Sequence, residues 1–372
     1  MTSTLKSTLL EGAHAVSVLA AERALAGETA RRLDQAVVDG IVEAGFARHF
    51  VGTQWGGRAG SFAEACEAVA TVGEGCTSAA WLASILAYSA RFASFLPEQG
   101  QAELWADGPD QIVASALVPA GEAEEVPGGW RISGEWLYIS GVDVSDWALV
   151  CGPAPSEQKR PMYFFAVPRS DYTFKDTWHS TGMRATMSNT LVIQDGFVPT
   201  HRTFSRGLLM NGVNDPRLPA CHRAPLRAAG GLAFAVPIIG AAAGALKASV
   251  ARQLAKRPGR PGSDAPALLA LTRASGELDA ARLLIDRVAA LCDEGRFDDQ
   301  ERARHGRDAA LATNLAVSAV DRLMRLAGTS GYSEELAVQR FWRDVNCAST
   351  HHAVQLEAAA LAYGPVLLAQ SA

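Results

Sequence analysis

Residues 131–152 read RISGEWLYISGVDVSDWALVCG, and this stretch decides the fold. Its first half alternates apolar and polar side chains, breaks at Ser140-Gly141, and resumes as an apolar run from Trp147. The pattern predicts two β-strands meeting at a tight corner. The corner presents an aromatic ring (Tyr138), a hydroxyl (Ser140) and a following indole (Trp147), a set that suits a planar cofactor. The same rings, with Trp136, would equally fill a small β-core. The position of the stretch, between two long helical regions, separates these readings.

Toward the N-terminus, residues 4–48 are rich in Ala, Leu, Glu and Arg with helical periodicity, and Gly45 closes a second helix. A glycine-marked loop over 49–57 precedes an Ala-rich, buried helical stretch over 61–95, which stops near Gly108-Pro109-Asp110. From about Ile112 to Arg206 short strands, among them 112–114, 162–167 and 190–193, alternate with Gly, Pro and Asp turns, as in a barrel or sandwich. From Ala228 onward the chain is helical again, punctuated at 257–262, at Gly306, at Gly328-Thr329-Ser330-Gly331 and at Tyr363-Gly364-Pro365. The fold class is therefore α+β: an N-terminal helical domain over 1–108, a β-domain over 109–215 and a C-terminal helical bundle over 216–372.

The 372 residues are 48% hydrophobic and 20% charged, with a net charge of −5, which favours neither nucleic acid nor a membrane surface as partner. No signal-peptide pattern opens the chain, and the apolar run over 230–248 is interrupted by glycines and Pro237, so the expected location is the cytoplasm. Six cysteines occur without a CxxC. Only Cys347 and His351 stand at ligand spacing, with no further ligand near them, so no metal site and no disulfide framework are expected.

Six short motifs occur in order: Trp55-Gly56-Gly57, Ala116-Leu117-Val118-Pro119 with Gly121, Gly134 through Gly141, Gly182-Met183-Arg184-Ala185-Thr186-Met187-Ser188, Val198-Pro199-Thr200-His201-Arg202, and Arg340-Phe341-Trp342-Arg343-Asp344 followed by His351. Together they resemble the acyl-CoA dehydrogenase fold over nearly the whole chain. Within that fold they are similar to the oxygenase components of two-component (group D) flavin-dependent monooxygenases, the group of the p-hydroxyphenylacetate, 3-HSA and aromatic polyketide hydroxylases.

The resemblance implies that Tyr138 and Ser140 face the flavin ring, the hydroxyl reaching the central-ring nitrogen that gains a proton on reduction. It places the backbone of Ala116, Leu117 and Val118 at the pyrimidine end and residues 182–188 alongside, with Gly182, Arg184 and Ser188 as flavin or ligand contacts. Arg260, in its Gly-Pro loop, is placed at a flavin phosphate, from the same or a neighbouring subunit. Ala185 and Met187 stand where glycines are usual and would enlarge side chains beside the flavin. Arg343 and Asp344 are expected to form a structural ion pair.

Dehydrogenases of this fold carry a glutamate base seven or eight residues beyond the Arg-Asp pair, where this chain reads Val345 through His352. A histidine there suits proton transfer with a phenol or an oxygen adduct of flavin. Spacing from Asp344 picks His351. Helical periodicity through Val338, Phe341 and Val345 instead puts His352 on the apolar stripe. His49, His179 and His201 flank the motifs as lesser candidates.

The function implied is hydroxylation of an aromatic or polyketide-like molecule by reduced FMN or FAD and O2 through a 4a-hydroperoxyflavin, held dry. No Gly-x-Gly-x-x-Gly follows a strand, so a separate flavin reductase is the expected partner, and the resemblance implies a homotetramer. The competing readings are an acyl-CoA dehydrogenase-type oxidation, oxygenation at nitrogen or sulfur, and a catalytically silent ligand-binding relative.

Overall fold

The computed structural model describes residues 8–154, 161–255 and 264–370. Helix α1 (Leu9–Ala30) starts at a reciprocal cap: Thr8 Oγ1 accepts from Glu11 N–H, and Glu11 accepts from Thr8 N–H at 2.7 Å. Helix α2 (Gln35–Ala44) begins on Asp34 and, as the sequence predicts, is closed by Gly45, which lies in the left-handed region. Helices α3 (Phe62–Gly75), α4 (Thr77–Ala93) and α5 (Glu98–Leu104) complete the first block. All of α4 is buried except Ile85. A helix buried all round is a core element.

Among the described residues eight strands follow: β1 (Val113–Ala116), β2 (Glu122–Val126), β3 (Gly129–Ile139), β4 (Trp147–Pro153), β5 (Met162–Pro168), β6 (Thr173–Lys175), β7 (Asn189–Pro199) and β8 (Thr203–Ser205). They form two four-stranded sheets in the orders β1-β4-β5-β8 and β2-β3-β7-β6. Strands β3 and β4, expected to meet at a corner, lie in different sheets, and residues 140–146 carry the chain across. Ile132, Trp136 and Ile139 of β3 face Val150 and Phe165 of the other sheet. The Trp136 indole donates to the Cys151 carbonyl at 2.7 Å, joining the two sheets.

After the short helices α6 (Arg206–Asn211) and α7 (Ala220–Arg223) come α8 (Leu226–Ala255), α9 (Ala265–Asp293), α10 (Asp299–Ala327), α11 (Ala337–Ala348) and α12 (Leu356–Gln370). Helix α8 is long and apolar enough to cross a membrane, yet 83% of its most apolar window is buried inside the fold, which makes it a core helix. Gly240 of α8 crosses Gly73 of α3 so closely that a Cβ on Gly73 would lie 2.8 Å from the Gly240 backbone.

Candidate active site

Backbone strain marks the corner. Strand β3 slips register against β7 between Trp136 and Ile139, and Tyr138, inside that irregularity, is held at φ 63°. The left-handed region is costly for a residue with a Cβ. Its ring is nevertheless 70% exposed and meets Trp178 edge-on, 5.9 Å between centroids. Gly141, at φ +73°, then turns the chain where a Cβ would lie 2.7 Å from Leu82.

The strain delivers Tyr138 to the edge of a cavity of about 780 Å³, a size typical of small-ligand sites. Trp81 and Ile85 of α4, residues 116–118 at the end of β1, Tyr138 and Ser140, Thr186 and Ser188, Phe234 of α8, and both His351 and His352 line it. A Tyr138→Gly variant loses little buried surface and sheds the strain. It should be as stable as the parent or more so by ~1 kcal/mol in urea unfolding, while binding flavin several-fold more weakly. Lower stability would mean that the ring serves packing.

Opposite the corner lie the histidines, in a place the periodicity did not predict. Helix α11 ends at Ala348, α12 begins at Leu356, and a single 3-10 turn, His352–Val354, separates them. The helical stripe that favoured His352, and the helical spacing of Cys347 to His351, are therefore not features of the fold. His351 caps the turn, its Nδ1 accepting from Ala353 N–H at 3.3 Å. Its ring stacks on Phe234 at 3.8 Å, lies tilted against His352 at 4.5 Å, and is met edge-on by Trp81 at 5.9 Å. Burial, with a further push from His352, lowers its pKa to about 3. His351 is thus a neutral imidazole whose Nδ1 is taken, leaving Nε2–H as a donor.

This depression has a pH signature. The unfolded chain takes up a proton on His351 below about pH 6.5 while the folded chain resists until about 3, so this contribution to stability is complete above 6.5 and lost as pH falls. Asp344, raised by burial to about 6, works in the opposite sense, gaining stability as pH falls toward its unfolded value. His351→Asn has nothing to protonate at this position. It should lose less stability than the parent between about pH 6.5 and about pH 4.5, and equal slopes would contradict a desolvated imidazole.

Of the remaining expected contacts, Ala116, Leu117, Val118 and Ser188 line the cavity, whereas Gly182 and Arg184 do not. Arg184 turns away, donating from Nε to the Glu28 carbonyl at 3.2 Å. Left-handed Met183 (φ 56°) and Met187 (φ 53°) flank its turn and set that direction. Gly182 serves packing, since a Cβ there would lie 2.2 Å from the Arg343 carbonyl oxygen. Ala185 and Met187 are buried and do not line the cavity, so they do not crowd it. Arg260 lies outside the described residues.

Arg343 and Asp344 do not pair with each other. The guanidinium binds Glu28, while Asp344 accepts from Met183 N–H at 2.6 Å and ties residues 182–188 to α11. His49 is buried with Nε2 2.9 Å from the Ser61 carbonyl oxygen, His201 pairs with Glu103 at 2.8 Å, and His179 is exposed, so none reaches the cavity. The sequence reading missed Trp81, Phe234 and Thr186. Thr186 sat inside a quoted motif, but nothing set Trp81 or Phe234 apart from other core aromatics.

The pieces fit a reduced flavin: an exposed ring, a hydroxyl and flat apolar walls border a space of suitable size. A family model described as the acyl-CoA dehydrogenase C-terminal domain matches residues 232–356. The chain is 33% identical to the flavin-dependent monooxygenase oxygenase subunit HsaA of Mycobacterium tuberculosis, covering 96% of each. It is 30% identical to the FADH2-dependent resorcinol hydroxylase oxygenase component of a Rhizobium species, over 92% of this chain and 89% of that one. Among solved structures, the 3-HSA hydroxylase of Rhodococcus sp. RHA1 superposes with a TM-score of 0.92 at 30% identity, over 98% of this chain and 97% of that one.

Proposed function

The chain belongs to the oxygenase components of two-component flavin-dependent monooxygenases, and on that premise we propose that it hydroxylates a small aromatic molecule in the cavity between Ser140 and His351. Bound reduced flavin would supply the electrons and, with O2, the reactive oxygen. Tyr138, Ser140, Ser188 and the backbone of residues 116–118 would hold the ring. The observation that carries the reading is the pairing, across one cavity, of the strained Tyr138–Ser140 corner with an imidazole fixed as a donor.

The protein's share of the chemistry follows from its side chains. His351 offers Nε2–H to an oxygen beside it and takes no proton there, because its basic nitrogen faces Ala353 N–H. His352, exposed at the mouth with its ring against His351, is the group we assign to receive a phenol proton. Trp81 and Phe234 close the wall behind His351 and exclude water.

An acyl-CoA dehydrogenase-type reaction needs a carboxylate base. Among the described lining residues the only carboxylate is Glu135, which is half exposed and paired with Lys175. We also propose a homotetramer, supported by exposed Leu268 and Leu283 on α9 and Leu361 and Leu368 on α12. The cytoplasm is our assignment, supported by six free cysteines, five of them buried. Strands confined to 113–205 among the described residues support domain limits of 1–108, 109–215 and 216–372.

The test combines the protein with a flavin reductase, a nicotinamide donor and a panel of phenols under isotopically labelled O2. One labelled oxygen in the product is expected. Labelled product from amines or sulfides alone would favour oxygenation at nitrogen or sulfur, and peroxide alone from every compound would contradict the assignment.

A further inference from the structure

Four hydrogen bonds behind the corner form a single file. Trp81 Nε1 donates to Ser140 Oγ at 3.0 Å; Ser140 and Ser188 hydroxyls lie 2.8 Å apart, Ser188 and Thr186 hydroxyls 2.7 Å apart, and Thr186 donates to the Met183 carbonyl at 3.0 Å. Each hydroxyl has one proton. The two ends are fixed, because an indole N–H can only donate and a carbonyl can only accept. Thr186 spends its proton on Met183, so it must accept from Ser188. Ser188 must then accept from Ser140, and Ser140 accepts from Trp81. All four contacts are satisfied in this one sense. Ser140, Ser188 and Thr186 are all buried, and the four contacts engage every proton of the file.

Ser140 therefore has no proton to offer the cavity it lines, only a lone pair. We propose that this file makes Ser140 a one-way acceptor that selects reduced over oxidised flavin, with Thr186 and Ser188 as positioning residues. The inference rests on the flavin reading above. The central-ring nitrogen carries a proton in reduced flavin and donates to that lone pair. In oxidised flavin the same nitrogen is itself an acceptor, and the two lone pairs would face each other without a bridge. A binding-state choice is thus built into the hydroxyls that stand behind Ser140 in the file.

Anaerobic titration of the full-length protein with reduced and with oxidised FMN and FAD tests this. The parent is expected to bind reduced flavin roughly tenfold or more tighter. Ser188→Ala frees the Ser140 proton to turn toward oxidised flavin, so the oxidised form should bind more tightly than in the parent and the ratio should fall roughly tenfold. Thr186→Val should lower the ratio in the same way, because Ser188 loses its acceptor and can donate back to Ser140, while Thr186→Ser should restore it.

Mere loosening of the site would weaken both forms together. Parallel weakening, or an unchanged ratio in Ser188→Ala and Thr186→Val, would overturn the proposal while leaving flavin binding intact. Equal parental affinity for the two forms would overturn it likewise. Binding of neither form would overturn the flavin reading itself, and this proposal with it.

Discussion

Replacing His351 with alanine is expected to reduce hydroxylation by about 10²- to 10³-fold, with reduced flavin still bound and still consumed by O2. The reason lies in what the imidazole is. With its pKa near 3 and Nδ1 engaged by Ala353 N–H, it stays neutral across the working pH range and presents a fixed donor. Such a donor acts on charge that develops as oxygen is transferred, so its loss lowers kcat rather than raising KM. His351→Asn, which keeps an N–H, should retain more activity than the alanine variant.

His352 should behave differently. If it receives the phenol proton, His352→Ala should be rescued by substrates whose hydroxyl is already ionised, whereas His351→Ala should not. Rescue of both, or of His351→Ala alone, would reverse the assignment. Product yield per flavin consumed, measured across phenols of graded acidity, reads the difference.

Phe234→Ala should have the largest effect on stability. Its ring is 7% exposed, stacks 3.8 Å from His351 and lies 5.4 Å from Trp81. Truncating a buried phenylalanine costs ~3–5 kcal/mol, and because this ring borders a cavity the lower end applies, about 3 kcal/mol. The same change lets water reach His351, so its pKa should rise toward the ordinary histidine value. Activity would then acquire one more ionisation in the acid range than the parent shows. Chemical denaturation gives the first effect and the pH profile of kcat the second. A stability loss without a new ionisation would show that the stacked ring does not set the state of His351.

The corner was legible because alternation, a Ser-Gly break and flanking helices all write themselves into local sequence. What local pattern could not show is that β3 and β4 belong to different sheets, since strand partners are chosen by residues far away. The break after α11 was hidden for another reason: no Gly or Pro marks it. Gln355 supplies the stop by donating its side-chain amide to the Ser349 carbonyl, a contact invisible to periodicity. Arg184 was legible as part of a motif but not in direction, because two methionines in left-handed conformations turn it toward α1. Trp81 has no local signature at all. It matters only because the fold brings it between Ser140 and His351.

The central claim is that reduced flavin lies in the cavity shared by Ser140 and His351, shielded from water. Stopped-flow mixing of the protein and reduced flavin with O2, without substrate, tests it most directly by timing the return of oxidised-flavin absorbance. A delay long compared with free reduced flavin, shortened in His351→Ala and in Phe234→Ala, is the predicted result. Return as fast as in free solution would contradict it.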